Sequence, residues 1–368
     1  MTLPMYSGKV ALQQRVLPTY RIPFFDLLAS VCQGGLSVFA GKPLNIESMV
    51  IAERLRVGHY EKASNRHFLD PSSPAYFCWQ SGFLNWLVEW NPDILVIEAN
   101  PRYLSTRRAV RWMHRHNRKV LGWGLGTPRT GNPIDKLFRI PFLRSLDGVI
   151  AYSRRGALEY RQHGVKHVFV AHNAVAPRPI VPPPSRPSEF SGQPTILFVG
   201  RLQTRKRIDI LLIACANLPQ NLQPQLIIIG DGPAKPEFES LAKSIYPQAT
   251  FIGAKHGEEL DPYYALADLF VLPGTGGLAV QQAMTHGLPV IVAKGDGTQD
   301  DLVRVENGWQ VPPGDQDALI DCLHFALSDV SRLRDMGKES FRIVSEEINL
   351  EKMVEAFLMA LNSFNLEA

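Results

Sequence analysis

Residues 195–212, TILFVGRLQTRKRIDILL, read as a buried strand, a cationic loop and a helix. The run TILFV is apolar without alternation, which is typical of a strand covered on both faces of a parallel sheet. Gly200 ends the strand, and a helix is predicted to begin near Lys206. Four cations cluster at the mouth of this helix: Arg201, Arg205, Lys206 and Arg207. Because a helix N-terminus already favours anions, the loop predicts a bound anion, and a solvated basic turn is the alternative.

The same alternation of strand and helix continues towards the C-terminus. Further apolar runs predict strands at 225–230, 249–253, 269–273 and 288–293. Gly230 and Gly232 give a tight turn into the next helix, where Pro233 suits the first helical turn. On its own this turn is weak evidence for a ligand site, because many α/β proteins contain one like it.

The stretch PGTGGLAVQQAM (273–284) follows one of these strands and opens another helix. Thr275 can cap that helix, and Gly276 and Gly277 leave the backbone N–H groups uncovered. A phosphate can therefore approach the helix mouth closely. A plain glycine-rich turn is the alternative interpretation.

The first half of the chain shows the same pattern, and a proline-rich segment separates the halves. Its predicted strands are 9–14, 36–41, 93–99, 119–124, 148–153 and 167–172. The segment APRPIVPPPSRPSEFSGQP (176–194) contains seven prolines, so neither a helix nor a central strand is expected there. These features predict an α/β fold with two doubly wound Rossmann-like domains facing each other across a cleft.

The predicted domain limits follow from the linker. An N-terminal domain covers residues 1–175, the linker covers 176–194, and a C-terminal domain covers 195–348. The segment 349–368 reads as an amphipathic helix that packs back on the N-terminal domain. Its packing residues are expected to be Met353, Phe357, Met359 and Leu361.

Composition excludes several classes of protein. Of the 368 residues, 45% are hydrophobic and 20% are charged, which is typical of a globular protein. No uncharged apolar run approaches ~18 residues and the N-terminus has no signal-peptide pattern, so a cytoplasmic protein without a transmembrane helix is expected. The four cysteines are scattered and are expected to be free thiols.

Charge is distributed unevenly between the two halves. Residues 1–175 carry 23 Lys and Arg against 11 Asp and Glu, whereas the remainder carries 16 against 24. This asymmetry predicts that the first half meets an anionic partner. A nucleic acid, an acidic lipid surface and a phosphorylated substrate all remain open at this point.

The motifs of the second half resemble the nucleotide-binding half of GT-B glycosyltransferases, specifically family 4, the glycosyltransferase group 1 type. The family's G-R-L, lysine and I-D-x-L-L pattern matches Gly200 to Leu202, Lys206 and Ile208 to Leu212. Its G-D-G-P matches Gly230 to Pro233, and its later motifs match Phe251 to Pro273 and Ala283 to Leu319. The match spans about 195–330. The first half resembles the family only in the order of its elements.

This resemblance implies transfer of a sugar from a nucleotide diphosphate donor with retention of configuration. A UDP-sugar is favoured and a GDP-sugar comes next, with no cofactor and no metal ion expected. In the family, the residues matching Arg201 and Lys206 contact the diphosphate and stabilise the leaving group, which fits cations held beside a phosphate that gains charge. The donor-binding positions carried over are Gly200, Gly230, Asp231, Ala254, Lys255, Gly274, Thr275, Gly276, Gly277, Leu278 and Gln282.

The sequence departs from the family at two of these positions. The family usually carries two glutamates eight residues apart, and this chain has Gly274 and Gln282 there. Glutamine still offers an acceptor and a donor to the ribose, but glycine offers only its backbone. The sugar is therefore expected to be held by Thr275 and nearby N–H groups, or to be a different sugar. Loss of catalysis is the third interpretation.

Candidate acceptor or phosphate residues follow two strands of the first half: Arg15, Tyr20, Arg21, Glu98, Asn100 and Arg102. Family members have a Gly-Gly turn after the first strand, and this chain lacks it. We therefore expect Arg15 or Arg21 to serve a donor or acceptor phosphate, with surface arginines as the alternative. Glu98 is the candidate that binds or deprotonates the acceptor hydroxyl. Where relatives place a histidine near the reacting sugar, this chain has Trp123.

Two predicted helices of the first half combine cations with apolar side chains. The first contains Arg107, Arg108, Arg111, Arg115, Arg118 and Lys119 beside Trp112 and Met113, and the second contains Phe138, Arg139, Phe142 and Arg144. Such a mixture suits an anionic lipid surface, here the inner face of the plasma membrane. A solvated helix with its apolar side in the core is an equal alternative. No nucleic-acid-binding module is visible.

The leading hypothesis is thus a metal-independent glycosyltransferase acting on a lipid-linked or polysaccharide acceptor. A nucleotide-sugar epimerase or hydrolase on the same architecture is a second hypothesis. A third is a non-catalytic partner that binds a sugar nucleotide within a polysaccharide assembly.

Overall fold

The structure is a computed structural model that describes residues 3–44, 47, 49–70, 73, 75–127, 133–276, 278–295 and 297–364, with side chains omitted for 133–136. It divides into two compact units. The N-terminal unit comprises residues 1–175 together with 350–368, and the C-terminal unit comprises residues 176–349.

The N-terminal unit is built on a seven-stranded sheet with the strand order β3-β2-β1-β6-β7-β8-β9. The strands of the N-terminal unit are β1 (Val10–Val16), β2 (Leu36–Gly41), β3 (His59–Lys62), β4 (Ser64–Phe68), β5 (Phe77–Ser81), β6 (Ile94–Glu98), β7 (Lys119–Gly124), β8 (Gly148–Ala151) and β9 (Val168–Val170). Of these, β4 and β5 lie outside the seven-stranded sheet. Every pairing in this sheet is parallel. The strand order reverses between β1 and β6, the topological switch point at which such sheets bind ligands.

Helices connect these strands, and one hairpin interrupts the pattern. The helices are α1 (Ile22–Val31), α2 (Phe83–Trp90), α3 (Leu104–Arg115), α4 (Pro133–Arg144) and α5 (Arg154–Gln162). Strands β4 and β5 pair with each other in antiparallel fashion. An amide network ties this hairpin to β1, since Gln80 accepts from Gln13 Nε2 at 2.5 Å and donates to the carbonyl oxygen of Gln14 at 3.0 Å.

The C-terminal unit is a second doubly wound domain, with the strand order β12-β11-β10-β13-β14-β15. Its strands are β10 (Thr195–Val199), β11 (Gln225–Ile229), β12 (Thr250–Gly253), β13 (Leu269–Leu272), β14 (Val290–Ala293) and β15 (Gly308–Val311). Its helices are α6 (Ile208–Ala216), α7 (Lys235–Ile245), α8 (Asp261–Leu266), α9 (Leu278–Thr285), α10 (Thr298–Leu302), α11 (Gln316–Leu327) and α12 (Val330–Glu346). All its pairings are parallel, and the switch point lies between β10 and β13.

The proline-rich segment 176–194 forms neither helix nor strand. It belongs to the C-terminal unit, where Arg186 fixes it. The Arg186 guanidinium donates to the carbonyl oxygens of Tyr264 (2.9 Å), Ala265 (2.8 Å) and His286 (3.0 Å). Burial lowers the pKa of Arg186 to about 10. The carbonyl oxygens replace the water that this buried cation has lost.

The last helix, α13 (Leu350–Ser363), packs within the N-terminal unit. Met353, Phe357 and Leu361 are buried there, and the Phe357 ring lies 4.9 Å from the ring of Phe24. The expectation for Met359 is wrong, because its side chain is 62% exposed on the opposite face of the helix.

Eleven strands lie where apolar runs predict them, and four more were not predicted. Strands β3 and β4 are mostly polar, with sequences HYEK and SNRHF, so hydrophobicity does not indicate them. Among the described residues, no helix is both long and apolar enough to cross a bilayer.

Candidate active site

The carboxyl ends of β10, β11 and β12 are joined by backbone hydrogen bonds. Gly200 N–H donates to the carbonyl oxygen of Ile229 at 2.9 Å, and Gly230 N–H donates to that of Gly253 at 2.8 Å. Gly230 has φ +144°, and a Cβ there would lie 1.9 Å from the carbonyl oxygen of Gly200. Only glycine fits this position, because a side chain would separate two loops of the site.

The cationic loop after β10 folds against the glycine-rich turn after β13. Residues Thr204–Lys206 form a 3-10 turn, Arg207 adopts φ +54°, and α6 begins at Ile208, close to the predicted start near Lys206. Lys206 Nζ donates to the carbonyl oxygen of Thr275 at 2.5 Å, and Arg205 donates to Thr275 Oγ1 at 2.9 Å. The two loops meet at the switch point of the sheet, where this fold binds ligands.

Two of the four cations keep their charge unpaired within this arrangement. Arg207 forms an ion pair with Asp209 at 3.0 Å, so its expected part in anion binding is weakened. Arg205 and Lys206 hydrogen-bond only to neutral groups, and the described part of the chain places no carboxylate on either. Burial and the neighbouring Arg205 charge lower the pKa of Lys206 to about 8. A bound anion would stabilise the charged form of Lys206 and would therefore raise this pKa again.

The structure explains why no carboxylate occupies position 274. A Cβ on Gly274 would lie 2.3 Å from the carbonyl oxygen of Arg205 and 2.5 Å from Lys206 Cα. A Cβ on Gly276, whose φ is +125°, would lie 2.4 Å from Lys206 Nζ. The turn is therefore pressed against the cationic loop, and the glutamate found in the family has no space here.

A residue that the sequence analysis missed holds this turn from the other side. Gln299 is 2% exposed, and its Nε2 donates to the carbonyl oxygen of Gly276 at 2.9 Å. It lies in α10, the short helix that follows β14, and β14 neighbours β13 in the sheet. The position of Gln299 after a strand that neighbours β13 could have indicated this role, because the carboxyl ends of parallel strands lie at the same edge of a sheet.

The other donor positions lie around this core of contacts. Leu278 is 36% exposed at the start of α9, and Gln282 lies one turn further and is partly exposed. Asp231 accepts the N–H of Gly232 at 2.7 Å. Ala254 is exposed, and Lys255 is paired with Glu259 at 2.9 Å. Gly277 lies outside the described residues.

At the switch point of the N-terminal unit, Arg15 is already neutralised. Its guanidinium forms two hydrogen bonds with the Glu47 carboxylate, at 2.9 and 2.5 Å. Arg15 stands where the β1–β2 register shifts, and its backbone N–H donates to Glu98 Oε1 at 2.8 Å. We therefore correct the expectation for Arg15, because a phosphate would have to displace this bidentate pair.

Glu98 is held among cations and a tyrosine. Burial raises its pKa, while the Arg15 N–H, the Arg15 charge, the Tyr103 hydroxyl and the Arg21 charge all act in the opposite direction. Asn100 and Arg102 follow in a tight turn, in which Arg102 N–H donates to Asn100 Oδ1 at 3.1 Å. Arg21, the second predicted phosphate ligand, is 5% exposed.

The basic helix α3 directs its apolar side inwards. Met113 is fully buried, so its expected part in lipid contact is wrong, whereas Arg108, Arg111 and Arg115 are exposed. On α4, Arg139 and Phe142 are likewise buried and are withdrawn from the lipid-facing set. Leu137 and Phe138 remain, with 70% and 53% exposure, and the Arg107 guanidinium lies 5.9 Å from the Phe138 ring.

Comparison with known proteins supports the assignment made from the motifs. Residues 184–342 match the family described as glycosyl transferases group 1. The sulfoquinovosyl transferase of Arabidopsis thaliana is 33% identical over 152 residues, which is 40% of this chain and 29% of that protein. A GDP-mannose-dependent alpha-mannosyltransferase of Mycobacterium tuberculosis is 35% identical over 127 residues, 34% of this chain and 32% of the relative. The chain thus covers about a third of these relatives.

Solved structures share the fold over almost the whole chain. The sucrose-phosphate synthase of Thermosynechococcus elongatus superposes with a TM-score of 0.73 and 19% identity, covering 98% of this chain and 100% of that one. Anabaena HepE, solved in complex with UDP, gives 0.71 and 16% identity over 96% and 99%.

The predicted fold class is confirmed: the chain has two Rossmann-like halves of the GT-B type. The family match lies within its C-terminal unit, and the resemblance to group 1 glycosyl transferases read from the motifs is confirmed.

Proposed function

We propose that this protein transfers a sugar from a nucleotide diphosphate donor to a lipid-linked or glycan acceptor. The observation that carries the proposal is the contact between the cationic loop and the glycine-rich turn. Arg205 and Lys206 are held there beside Thr275 without a carboxylate among the described residues. The group 1 family match covers both loops.

The leaving group is stabilised by cations that are already in place. As the bond between the sugar and the diphosphate breaks, negative charge grows on the β-phosphate, and Arg201 and Lys206 are the residues proposed to receive it. Lys206 uses one of its ammonium hydrogens on Thr275, which leaves two for phosphate oxygens. Removing such a group typically costs about 3–4 kcal/mol of barrier.

The donor sugar would be contacted mainly by backbone and neutral side chains. Gly274 offers no side chain, and Thr275 and the N–H groups at the start of α9 are proposed to contact the sugar instead. Gln282 is proposed for the ribose. Glu98 is proposed for the acceptor hydroxyl, and retention of configuration follows from the family alone.

A binding measurement can identify the nucleotide base of the donor. Relatives include GDP-mannose-dependent enzymes, and Anabaena HepE has been solved with UDP and UDP-glucose. We keep UDP as the first choice and GDP as the second. Calorimetric titration of both, with and without magnesium, should give metal-independent binding of one of them.

The matched variants separate a donor site from general anion binding. Arg201→Ala and Lys206→Ala should each reduce nucleotide affinity and turnover at least tenfold. Lys243→Ala, in the last turn of α7 and away from the Gly230–Asp231 turn, should leave both unchanged. Unaltered turnover in the Arg201→Ala/Lys206→Ala double variant would overturn the proposal.

Product analysis distinguishes the other two hypotheses. A hydrolase or epimerase would release the nucleotide or isomerise the donor without an acceptor. A non-catalytic partner would bind the nucleotide and turn over no donor with any acceptor. Transfer to an added lipid-linked or glycan acceptor is the result that the proposal requires.

We also propose peripheral contact with anionic lipid at the inner face of the plasma membrane, because Leu137 and Phe138 are exposed on α4 and the Arg107 guanidinium of the basic helix α3 lies 5.9 Å from the Phe138 ring. The chain should sediment with phosphatidylglycerol vesicles and much less with phosphatidylcholine vesicles. Replacing Leu137 and Phe138 with serine should weaken that binding several-fold. Leu158→Ser removes an equally exposed leucine on α5 and should have no effect. Equal binding to both vesicles would exclude this contact.

A further inference from the structure

Arg21 is a buried cation for which the described residues provide no ion-pair partner. Its side chain is 5% exposed at the start of α1, and Nη1 has no hydrogen-bond acceptor among the residues that the structure describes. Three aromatic rings surround the guanidinium: Trp123 at 5.0 Å, Tyr20 at 5.5 Å and Tyr152 at 5.6 Å. The faces of aromatic rings attract a cation, but they do not provide acceptors for the N–H groups that point outward in the plane of the guanidinium.

A second unpartnered donor lies beside it. Trp123 is 1% exposed, and its indole Nε1 also lacks an acceptor within the described part of the chain. Trp123 lies near the end of β7 and is the first residue of the stretch 123–126, where this chain lacks the histidine expected from the family resemblance. Two buried N–H donors without acceptors in one cluster are uncommon, because each costs the free energy of its lost water contacts.

Glu98 is the carboxylate whose pKa the Arg21 charge acts to lower. It accepts the Arg15 backbone N–H at 2.8 Å and a hydrogen bond from the Tyr103 hydroxyl. Within the described part of the chain, however, Glu98 and Arg21 do not form an ion pair. The cluster lies at the carboxyl ends of β1, β6, β7 and β8, the edge at which doubly wound sheets bind ligands.

We propose that Arg21 and Trp123 together form a phosphate-binding subsite in the N-terminal unit. The Arg21 guanidinium would supply the charge, and the Trp123 indole N–H would supply a neutral second donor. Tyr20 is the solvent-facing wall of the cluster, since it is 41% exposed in the short turn before α1.

The proposal is independent of sugar transfer, and its test is a titration that does not need turnover. The chain contains six tryptophans, so selective ¹⁵N labelling gives six indole signals. Arg201→Ala and Lys206→Ala are introduced first to remove phosphate binding in the C-terminal unit. Inorganic phosphate should then shift the Trp123 indole signal in a saturable way and leave the Trp112 signal in place.

Two variants test the residues of the subsite. Arg21→Met should lower phosphate affinity at least tenfold while the melting temperature stays equal or rises, because an unpaired buried cation does not favour folding. Trp123→Phe keeps a ring and loses the N–H, and it should weaken phosphate binding several-fold in calorimetry. Arg118→Gln is the matched control, since Arg118 also stacks on a tryptophan and has an unpartnered Nη1, but lies at the opposite end of β7.

The source of the phosphate is distinguished by comparing ligands in the parent chain. If the phosphate belongs to the acceptor, glycerol 3-phosphate should shift the Trp123 signal as inorganic phosphate does. If it belongs to the donor, UDP or GDP alone should shift it. A Trp123 signal that no phosphate compound moves, or that moves equally in Arg21→Met, would overturn the subsite. A structural role for Arg21 would instead lower the melting temperature of Arg21→Met.

Discussion

The two units carry nearly the same strand order and treat their cations in opposite ways. Among the described residues of the C-terminal unit, the Arg205 and Lys206 side chains hydrogen-bond only to the neutral groups of Gln203 and Thr275 at the switch point. In the N-terminal unit, Arg15 at the equivalent strand end is held by both oxygens of Glu47. Topology therefore provides the place for an anion, but the local partners decide whether a cation is available for it.

This difference in the partners of the cations is accompanied by different chain segments after the first strand of each sheet. After β10, the chain turns directly towards α6 and packs on the glycine-rich turn. In the N-terminal unit, the hairpin β4–β5 is inserted after β3, and Asn65 on β4 donates to the carbonyl oxygen of Arg15 at 2.8 Å. Position 15 is thus embedded in a polar network with a carboxylate, whereas Arg205 and Lys206 pack on a turn that offers them a hydroxyl and a carbonyl oxygen.

The largest effect is expected from adding one methyl group to the glycine-rich turn. Gly274→Ala places a Cβ against the Arg205 and Lys206 backbone, which has no room to yield, and should cost about 3 kcal/mol of unfolding free energy. Gly200→Ala is the control, because the nearest atom to its Cβ would lie at 3.4 Å. Urea unfolding, followed through the NMR signal of Trp309, measures both. Equal stability of the two variants would show that the loops are not pressed together.

A somewhat smaller effect is expected from breaking the ion pair of the N-terminal unit. Arg15→Met leaves Glu47 largely buried without its partner and should cost about 2 kcal/mol of unfolding free energy. Nucleotide affinity should stay unchanged, because the guanidinium is occupied by Glu47. If Arg15→Met keeps the unfolding free energy of the parent chain but loses transfer activity, Arg15 contacts the substrate after all.

The pH dependence of donor binding tests the C-terminal unit. The pKa of Lys206 is lowered to about 8, so the free chain loses this charge as the pH rises through 8, whereas bound diphosphate raises the pKa again. Nucleotide affinity should therefore fall above pH 8 by up to ~tenfold per pH unit, equivalent to about 1.4 kcal/mol. Calorimetry in two buffers with different ionisation enthalpies should detect proton uptake on binding. Lys206→Arg, which stays charged, should remove both effects.

The smallest effect is expected from the residue that supports the glycine-rich turn. Gln299→Leu removes the hydrogen bond to Gly276 and should weaken nucleotide binding by about 1 kcal/mol, roughly five-fold. Gln310→Leu is the control, since its amide bonds the carbonyl oxygen of Val303, away from this turn. Equal affinities in the two variants would separate Gln299 from the site.

Several features could be read from the sequence because they depend on local chemistry. Continuous apolar runs indicated eleven of the strands, and the spacing of glycines and cations from Gly200 to Lys206 indicated the group 1 motifs. The prediction failed where contacts between distant segments decide the outcome. Glu47 pairs with Arg15 from 32 residues away, and Gln299 reaches Gly276 from 23 residues away.

The sequence by itself determined two sheets of parallel strands and a cationic helix mouth, because strand burial and glycine turns are encoded by neighbouring residues. Only the tertiary structure decided which cations remain available. It pairs Arg15 and Arg207 with carboxylates, leaves Lys206 and Arg21 without one among the described residues, and closes position 274 to any side chain. Charge and space at a site are properties of what surrounds a residue, and those surroundings come from segments far apart in the chain.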